Sequence, residues 1–496
     1  MNASPRRMLP VLLGGSALLA LALPAAAQAH GIVGKADLPI PVWLFSWTAA
    51  IVLVVSFVAL STLWRSPQLQ DEHRRAIVRR SASAAEAVRE EGRGARASRI
   101  APALDALAGV VGVALFALVL YSGFDGAQVP GANFSVTFIY VIFWVGLPVA
   151  SVLFGDVFAS LSPWRACARA ARGLMRLTRG GDPREPPLRY PAWLGVWPAI
   201  AGVVGFAWLE LVYVNRDQPS LLAALSLGYF VVMLAGMLLF GVERWSGCAD
   251  GFAVYFGLLG RLAPFARDER GRLCLRRPLS GVTSLPIRAG AVTLVCALIG
   301  TTTFDGFSNG GIWRKVEPEV QSVFSSLGLG PTPAQELAYS VGLVFCICLI
   351  VAVYRVGVLG VRNVSARYDL GELTRAFAHT LVPIAFAYVL AHYFSLLLWQ
   401  GQAIGYLISD PLGDGSNLFG TANYQIDYQV ISYAAIWYVQ VAALVTGHVG
   451  GLALAHDRAL VMYRDPEEAV RSQYWMLAVM VAFTSFGLWL LADVGT

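Results

Sequence analysis

The sequence predicts an all-α fold, a polytopic membrane helix bundle with about ten transmembrane helices. Of the 496 residues, 57% are hydrophobic and only 14% are charged, and the mean hydropathy is +0.61. A soluble domain carries roughly 25% charged residues. The apolar residues also form runs of the length that a helix needs to cross a bilayer, about 20 residues. We therefore expect residues 30–496 to form a single integral membrane domain in a lipid bilayer.

Each long apolar run is expected to be a helix, because lipid offers no hydrogen-bond partners to an irregular backbone. Ten runs have this character: Val42–Trp64, Ala101–Gly123, Ser135–Gly155, Ala192–Val214, Leu221–Val242, Ile287–Asp305, Leu337–Leu359, Ala376–Trp399, Val430–Ala455 and Gln473–Leu491.

The loops between the runs predict the orientation of the bundle. Lys and Arg are concentrated in alternate loops, and such loops favour the cytoplasmic side of a membrane. The predicted cytoplasmic loops include 65–100, 156–191 and 243–286, and the predicted outer loops include 306–336 and 400–429. Both ends of the mature chain then lie outside, N-out and C-out, in a bacterial inner membrane.

Residues 1–29 have the pattern of a cleaved signal peptide. Two arginines precede the apolar run Leu9–Leu23, and Ala27-Gln28-Ala29 follows as a cleavage motif. A signal peptide requires an outside start, which agrees with the loop charges. An uncleaved first span is the alternative.

Cleavage after Ala29 would make His30 the first residue of the mature chain. Its α-amine and imidazole could then chelate one metal ion, and imidazole suits copper or zinc. The alternative is that His30 simply begins the segment that follows the signal peptide.

Several classes of protein are excluded or disfavoured by missing motifs. The net charge is +6, but no zinc-finger, helix-turn-helix or RNA-binding motif accompanies the basic loops, so we expect no nucleic acid partner. The sequence also contains no Walker loop, no His-Glu-x-x-His motif and no nucleophile elbow. An ATP-driven pump and a serine hydrolase are therefore disfavoured.

Polar residues inside apolar spans are costly and indicate function. Glu210, Asp305 and His392 are predicted at the outer level of the membrane, on the same side as His30. We predict His30, His392 and Asp305 as ligands of a divalent or copper ion. Glu210 and Asp305 are the predicted catalytic groups, acting with a metal-activated water. The alternative is a polar vestibule lined by interhelical hydrogen bonds.

A second polar level is predicted near the cytoplasmic side, and its members are His379, His448, His456, Asp457 and Glu372. His379 and His392 differ in height by roughly 20 Å along a helix, so they cannot share a metal ion. The residues of this second level could instead mark a helix end or bond neighbouring helices.

Three blocks of the sequence resemble a known family. They are His30–Pro41 with Trp43-Leu44-Phe45, Ser162-Pro163-Trp164-Arg165, and the run from His379 to Gln402. They are similar to actinobacterial membrane proteins commonly labelled fenitrothion hydrolase, over the whole chain. The resemblance implies hydrolysis of lipophilic organophosphate triesters to a dialkyl phosphorothioate and a phenol. It assigns no catalytic residue, since the chain lacks the His-x-His motif of soluble phosphotriesterases.

Two other functions remain open. A copper-handling or small-solute membrane transporter could use the same polar residues, and a scaffold subunit could bind a partner through Asn309–Glu336 or Gly401–Gln429. Transporters often contain internal repeats and broken helices. The segments Asp156–Arg165 and Asp250–Pro264 loosely echo each other and could be such a repeat, or two unrelated interfacial helices.

Overall fold

The computed structural model describes residues 41–70, 75–76, 84–179, 186–267, 273–286, 288–364, 367–463 and 465–493. The predicted signal peptide, residues 1–29, and the predicted ligand His30 lie outside the described residues.

The described part of the chain contains eighteen α-helices, which are numbered in chain order. The first ten are α1 Val42–Leu63, α2 Ala84–Asp125, α3 Phe134–Thr137, α4 Leu147–Phe154, α5 Phe158–Leu161, α6 Pro163–Arg179, α7 Trp197–Leu211, α8 Pro219–Phe240, α9 Val242–Ser246 and α10 Gly251–Leu259. The others are α11 Ala291–Ser308, α12 Gly311–Ser326, α13 Pro331–Val364, α14 Leu370–Phe377, α15 Val382–Gln400, α16 Ile404–Leu407, α17 Tyr433–Met462 and α18 Pro466–Asp493.

The remaining regular structure is small. A π-helix, Phe138–Gly146, joins α3 to α4, and short 3₁₀ turns occur at Pro130–Ala132, Ala192–Leu194, Gly260–Leu262, Ser280–Val282, Ala378–Leu381 and Gly401–Ala403. Three short antiparallel strands pair in the order β1, β3, β2, and they are β1 Arg75–Ala76, β2 Phe265–Arg267 and β3 Leu273–Leu275.

The prediction of an all-α polytopic membrane bundle is confirmed. Within the described residues, ten helical segments are long and apolar enough to cross a membrane. These spans are Trp43–Leu63, Ala103–Asp125, Phe134–Phe154, Ala192–Leu211, Pro219–Phe240, Ala291–Ser308, Pro331–Val364, Leu370–Leu407, Tyr433–Met462 and Pro466–Ala492. The chain is therefore a multi-pass membrane protein.

Several of the predicted connections between spans contain helices. The second half of the predicted loop 65–100 belongs to α2, which starts at Ala84, and the loop 306–336 contains α12. Hydropathy alone ends a span where charges begin, whereas a helix continues for as long as its backbone hydrogen bonds are maintained.

The two ends of the bundle differ in charge. Contacts bring the arginine-rich loops together at the end where α1 finishes and α11 starts, and we call this the basic end. The end where α7 and α11 finish is called the opposite end.

The centre of the bundle is formed by α11 and α15. Their spans are 72% and 67% buried in the protein, more than any other span among the described residues. Helix α17 packs closely on α15 because Gly447 and Gly451 face it. A Cβ at Gly447 would lie 2.8 Å from the Pro383 carbonyl oxygen, and one at Gly451 would lie 2.8 Å from that of Thr380. Small residues at this spacing are typical of membrane helix contacts.

The two echoing segments at the basic end pack against each other. The Trp164 indole donates a 2.6 Å hydrogen bond to Asp250, and the rings of Phe158 and Phe256 meet edge to face. Asp250 also caps α10 through the backbone N–H groups of Phe252 and Ala253. The segment Gly251–Leu262 is apolar but too short to be a membrane span, and most of it is buried.

Candidate functional site

Asp305 is the centre of a buried polar cluster near the opposite end of the bundle. It lies in the last turn of α11 and its exposed fraction is 1%. Its Oδ2 accepts a 2.7 Å hydrogen bond from the Tyr393 hydroxyl and lies 2.9 Å from His392 Nε2. The Asn309 amide donates to the Asp305 backbone carbonyl at 2.8 Å, which satisfies one of the free carbonyls at the helix end.

His392 and Tyr393 are neighbours on α15, and both reach Asp305. Their rings are nearly perpendicular, with centroids 4.8 Å apart. An ionised carboxylate only accepts hydrogen bonds, so the proton of this contact sits on His392 Nε2 whenever Asp305 is ionised. One carboxylate oxygen therefore orients both side chains.

Glu210 is the second carboxylate of the cluster. It lies near the end of α7, its exposed fraction is 6%, and the Trp144 side chain hydrogen-bonds to it. Its Oε2 is buried and has no hydrogen-bond partner within the described part of the chain. Glu210 and Asp305 lie close enough for their charges to interact. A polar atom buried in this way can be satisfied by a water molecule, an ion or a ligand.

Three tyrosines extend the cluster around Glu210. Tyr140, Tyr255 and Tyr393 all lie within electrostatic range of its carboxylate. The Tyr140 hydroxyl donates to the Arg216 backbone carbonyl at 2.9 Å, in the half-buried loop that follows α7. Tyr140 therefore lies between Glu210, whose charge it senses, and the half-buried loop at the opposite end, to which it is hydrogen-bonded.

The structure brings together three of the four residues that we predicted for the outer site. Glu210, Asp305 and His392 lie in one cluster, whereas His30 lies outside the described residues. Within the described residues, no group of three His, Cys, Asp or Glu side chains has an arrangement that could hold a metal ion. Asp305 and His392 could supply two ligands, and a metal centre here would need a third from the rest of the chain.

The polar residues predicted at the second level do not form one site. Asp457 binds the segment after α1, where it accepts from the Trp64 indole at 3.0 Å and from the Gln68 backbone N–H at 2.6 Å. His456 Nε2 lies 2.9 Å from the Trp64 carbonyl oxygen, which can only accept, so Nε2 carries the proton.

The other two histidines of that level have different surroundings. His448 donates from Nδ1 to the Leu444 carbonyl of its own helix at 2.8 Å. His379 is 3% exposed and lines a cavity at the basic end, and its Nε2 has no partner among the described residues. Glu372 lies on α14, which Asp369 caps by accepting from the Glu372 backbone N–H.

Sequence reasoning missed several members of the outer cluster. Tyr393 directly follows His392, and that adjacency in an apolar span was a usable signal. Trp144 and Tyr255 lie in apolar runs in which nothing distinguishes them from packing residues. Only the packing of the π-helix and α10 against α7 brings them near Glu210.

Comparison of the chain with models of known families, with curated proteins and with solved structures finds no match. The fold and the site together define a multi-pass membrane protein with a buried Glu–Asp–His–Tyr cluster among its spans.

Proposed function

We propose that this chain is a small-solute membrane transporter in which Glu210, Asp305 and His392 form a proton-binding centre. The observation that carries the proposal is that two buried carboxylates, on helices long and apolar enough to cross a membrane, lie within electrostatic range of each other. One of them, Asp305, is held by His392 and Tyr393, and the other, Glu210, has an oxygen without a partner in the described residues.

Two carboxylates within electrostatic range of each other in a medium of low dielectric constant favour the protonation of one of them, because ionising both is costly. Chains of Asp, Glu and His inside membrane spans are the usual proton relays of pumps and transporters. The Asp305–His392 contact offers a second group that can take up the proton. This centre can therefore change its charge when its exposure to the two sides of the membrane changes.

Breaks in the helices support a transporter. The third span contains the π-helix Phe138–Gly146, and the eighth span, Leu370–Leu407, is interrupted by the 3₁₀ turn Ala378–Leu381, which Pro383 follows. The apolar segment Gly251–Leu262 is too short to span a membrane. It carries Tyr255, which lies within electrostatic range of Glu210. In transporters, irregular or interrupted helices commonly form the substrate and ion sites within the membrane.

The loop charges support an orientation for this transporter. Positive residues favour the cytoplasmic side, so the basic end would face the cytoplasm of a bacterial cell and the Glu210 cluster would lie nearer the outer face. The polar groups around Arg216 and Tyr140 would then be the outer entrance for protons.

Infrared difference spectroscopy tests whether the centre binds a proton. We expect the full chain in detergent to give a pH-dependent C=O band of a protonated buried carboxyl group. Glu210→Gln should remove or shift this band, and Glu319→Gln, on the exposed face of α12, should leave it unchanged. The absence of any band that responds to Glu210→Gln would overturn the proton-binding proposal.

Proton flux tests whether the centre moves its proton. Liposomes that contain the chain and a pH-sensitive dye should acidify faster under an imposed membrane potential than protein-free liposomes. Glu210→Gln should reduce the rate to that of protein-free liposomes, whereas Glu319→Gln should not. Equal rates for the Glu210 variant and the unmodified chain would remove Glu210 from the proton path.

A metal-dependent hydrolase of lipophilic phosphotriesters is the second candidate. It is favoured by the 2.9 Å contact of Asp305 and His392, two groups that suit copper or zinc. A metal there would polarise the ester and activate a bound water. The functions of copper handling and of a scaffold that binds a partner subunit stay predictions.

N-terminal sequencing and elemental analysis of the detergent-purified chain test the hydrolase. A start at His30 with close to one copper or zinc per chain, lost in His392→Ala, is the expected result for this candidate. A metal-free chain, or a metal content that His392→Ala leaves unchanged, would exclude these ligands.

A further inference from the structure

A cavity of about 180 Å³ lies at the basic end, away from the Glu210 cluster. It is bounded by the loop around Thr283, the start of α11, the junction of α14 with its 3₁₀ turn, and the end of α17. A cavity of this size accommodates one small polar group with a few water molecules.

Three arginines and one histidine line this cavity: Arg288, Arg375, Arg458 and His379. No acidic residue is among the described residues that line it. Asp457, the neighbour of Arg458 in sequence, is directed instead to the segment after α1, where Trp64, Gln68, Leu69 and Gln70 donate to it. The described lining therefore carries three arginines and no acidic side chain, and the nearest carboxylate to Arg458 in sequence, Asp457, acts on it only from outside the cavity.

Some of the donors in this lining have partners and others do not. Arg288 donates to the Gly247 carbonyl and to Cys248, and Arg458 donates from Nη2 to the Thr283 carbonyl at 3.0 Å. These bonds fix the directions of both guanidinium groups. The buried Nε of Arg458 and Nε2 of His379 have no partner in the described part of the chain.

A buried donor without an acceptor is costly, and an anion in the cavity would satisfy the Nε–H of Arg458. Arginine forks match the oxygen geometry of phosphate, and several of them around one cavity favour phosphate over a single carboxylate. Basic pockets between membrane helices also bind the head groups of anionic lipids.

We propose that this cavity is a binding site for a phosphate group, carried either by an anionic phospholipid or by a free phosphate. Arg375, which is exposed, guides the anion, and Arg458 donates to it inside the cavity, where His379 is part of the wall. The site is independent of the proposed proton-binding centre, because it uses none of the same residues and lies at the other end of the bundle.

Native mass spectrometry of the detergent-solubilised full chain tests the site with two probes, phosphatidylglycerol and inorganic phosphate. We expect one tightly held adduct with at least one of them, and about tenfold weaker binding in Arg375→Gln, since that variant removes a charge-assisted contact. Arg362→Gln is the matched control, because this arginine lies on α13 and does not line the cavity.

The two probes separate the sources of the phosphate group. Retention of phosphatidylglycerol alone assigns a lipid head group, and retention of inorganic phosphate assigns a free phosphate ligand. Arg458→Lys, which keeps the charge but loses the fork, should also weaken binding. The proposal is overturned if neither probe binds, or if Arg375→Gln and Arg362→Gln weaken binding equally.

Discussion

Replacing Asp457 with alanine is expected to destabilise the bundle by about 3 kcal/mol, because it removes the one buried acceptor shared by four buried or partly buried donors. Asp457 is fully buried. Its two oxygens accept from the Trp64 indole, from the backbone N–H groups of Gln68 and Leu69, and from the Gln70 amide, at distances of 2.6–3.2 Å. This one side chain joins the end of α1 to α17.

The loss of stability in Asp457→Ala should lower the midpoint of thermal unfolding in detergent, as measured by tryptophan fluorescence. Asp457→Asn keeps one acceptor oxygen and should lower the unfolding midpoint less than Asp457→Ala does. Asp465→Ala is the matched control, because Asp465 is exposed at the same end and only caps α18 through Glu467, which is worth about 1 kcal/mol. Equal unfolding midpoints for the Asp457 and Asp465 alanine variants would show that the Asp457 contacts contribute little.

The same residue illustrates what the sequence could and could not predict. The spans were predictable because hydropathy is a property of each segment, and the bilayer requires each apolar run to be a helix. The contact between Asp457 and Gln68 was not predictable. The two residues are 389 positions apart in the sequence, and neither segment contains a pattern that indicates contact with the other. We could read His456-Asp457-Arg458 only as a helix end or a polar level.

The outer cluster was more accessible to sequence reasoning. Glu210, Asp305 and His392 are rare polar residues at similar heights in their spans, so a common level could be inferred from helix length alone. The inference could not identify Asp305 as the shared acceptor of His392 and Tyr393. That depends on how α11 and α15 are rotated about their axes, which side-chain packing decides.

Asp305→Ala is the second substitution with a large expected effect. It removes the acceptor of the Tyr393 hydroxyl and of His392 Nε2, which are both buried. Each buried donor left without an acceptor lowers the free energy of unfolding by about 1–3 kcal/mol. Asp305→Asn should cost less because the amide keeps one acceptor oxygen. Tyr393→Phe should cost about 1 kcal/mol, since it removes the donor and leaves no unpaired group on its own ring.

A double-mutant cycle then tests whether Glu210 and Asp305 act as one centre. Glu210→Gln and Asp305→Asn should be non-additive in the free energy of unfolding by at least about 0.5 kcal/mol, because neutralising either carboxylate removes its repulsion with the other. The control cycle pairs Glu210→Gln with Asp457→Asn, whose groups lie at opposite ends of the bundle and should be additive. Additivity in both cycles would mean that the two carboxylates are separate polar contacts, and a shared proton would then have no basis in this cluster.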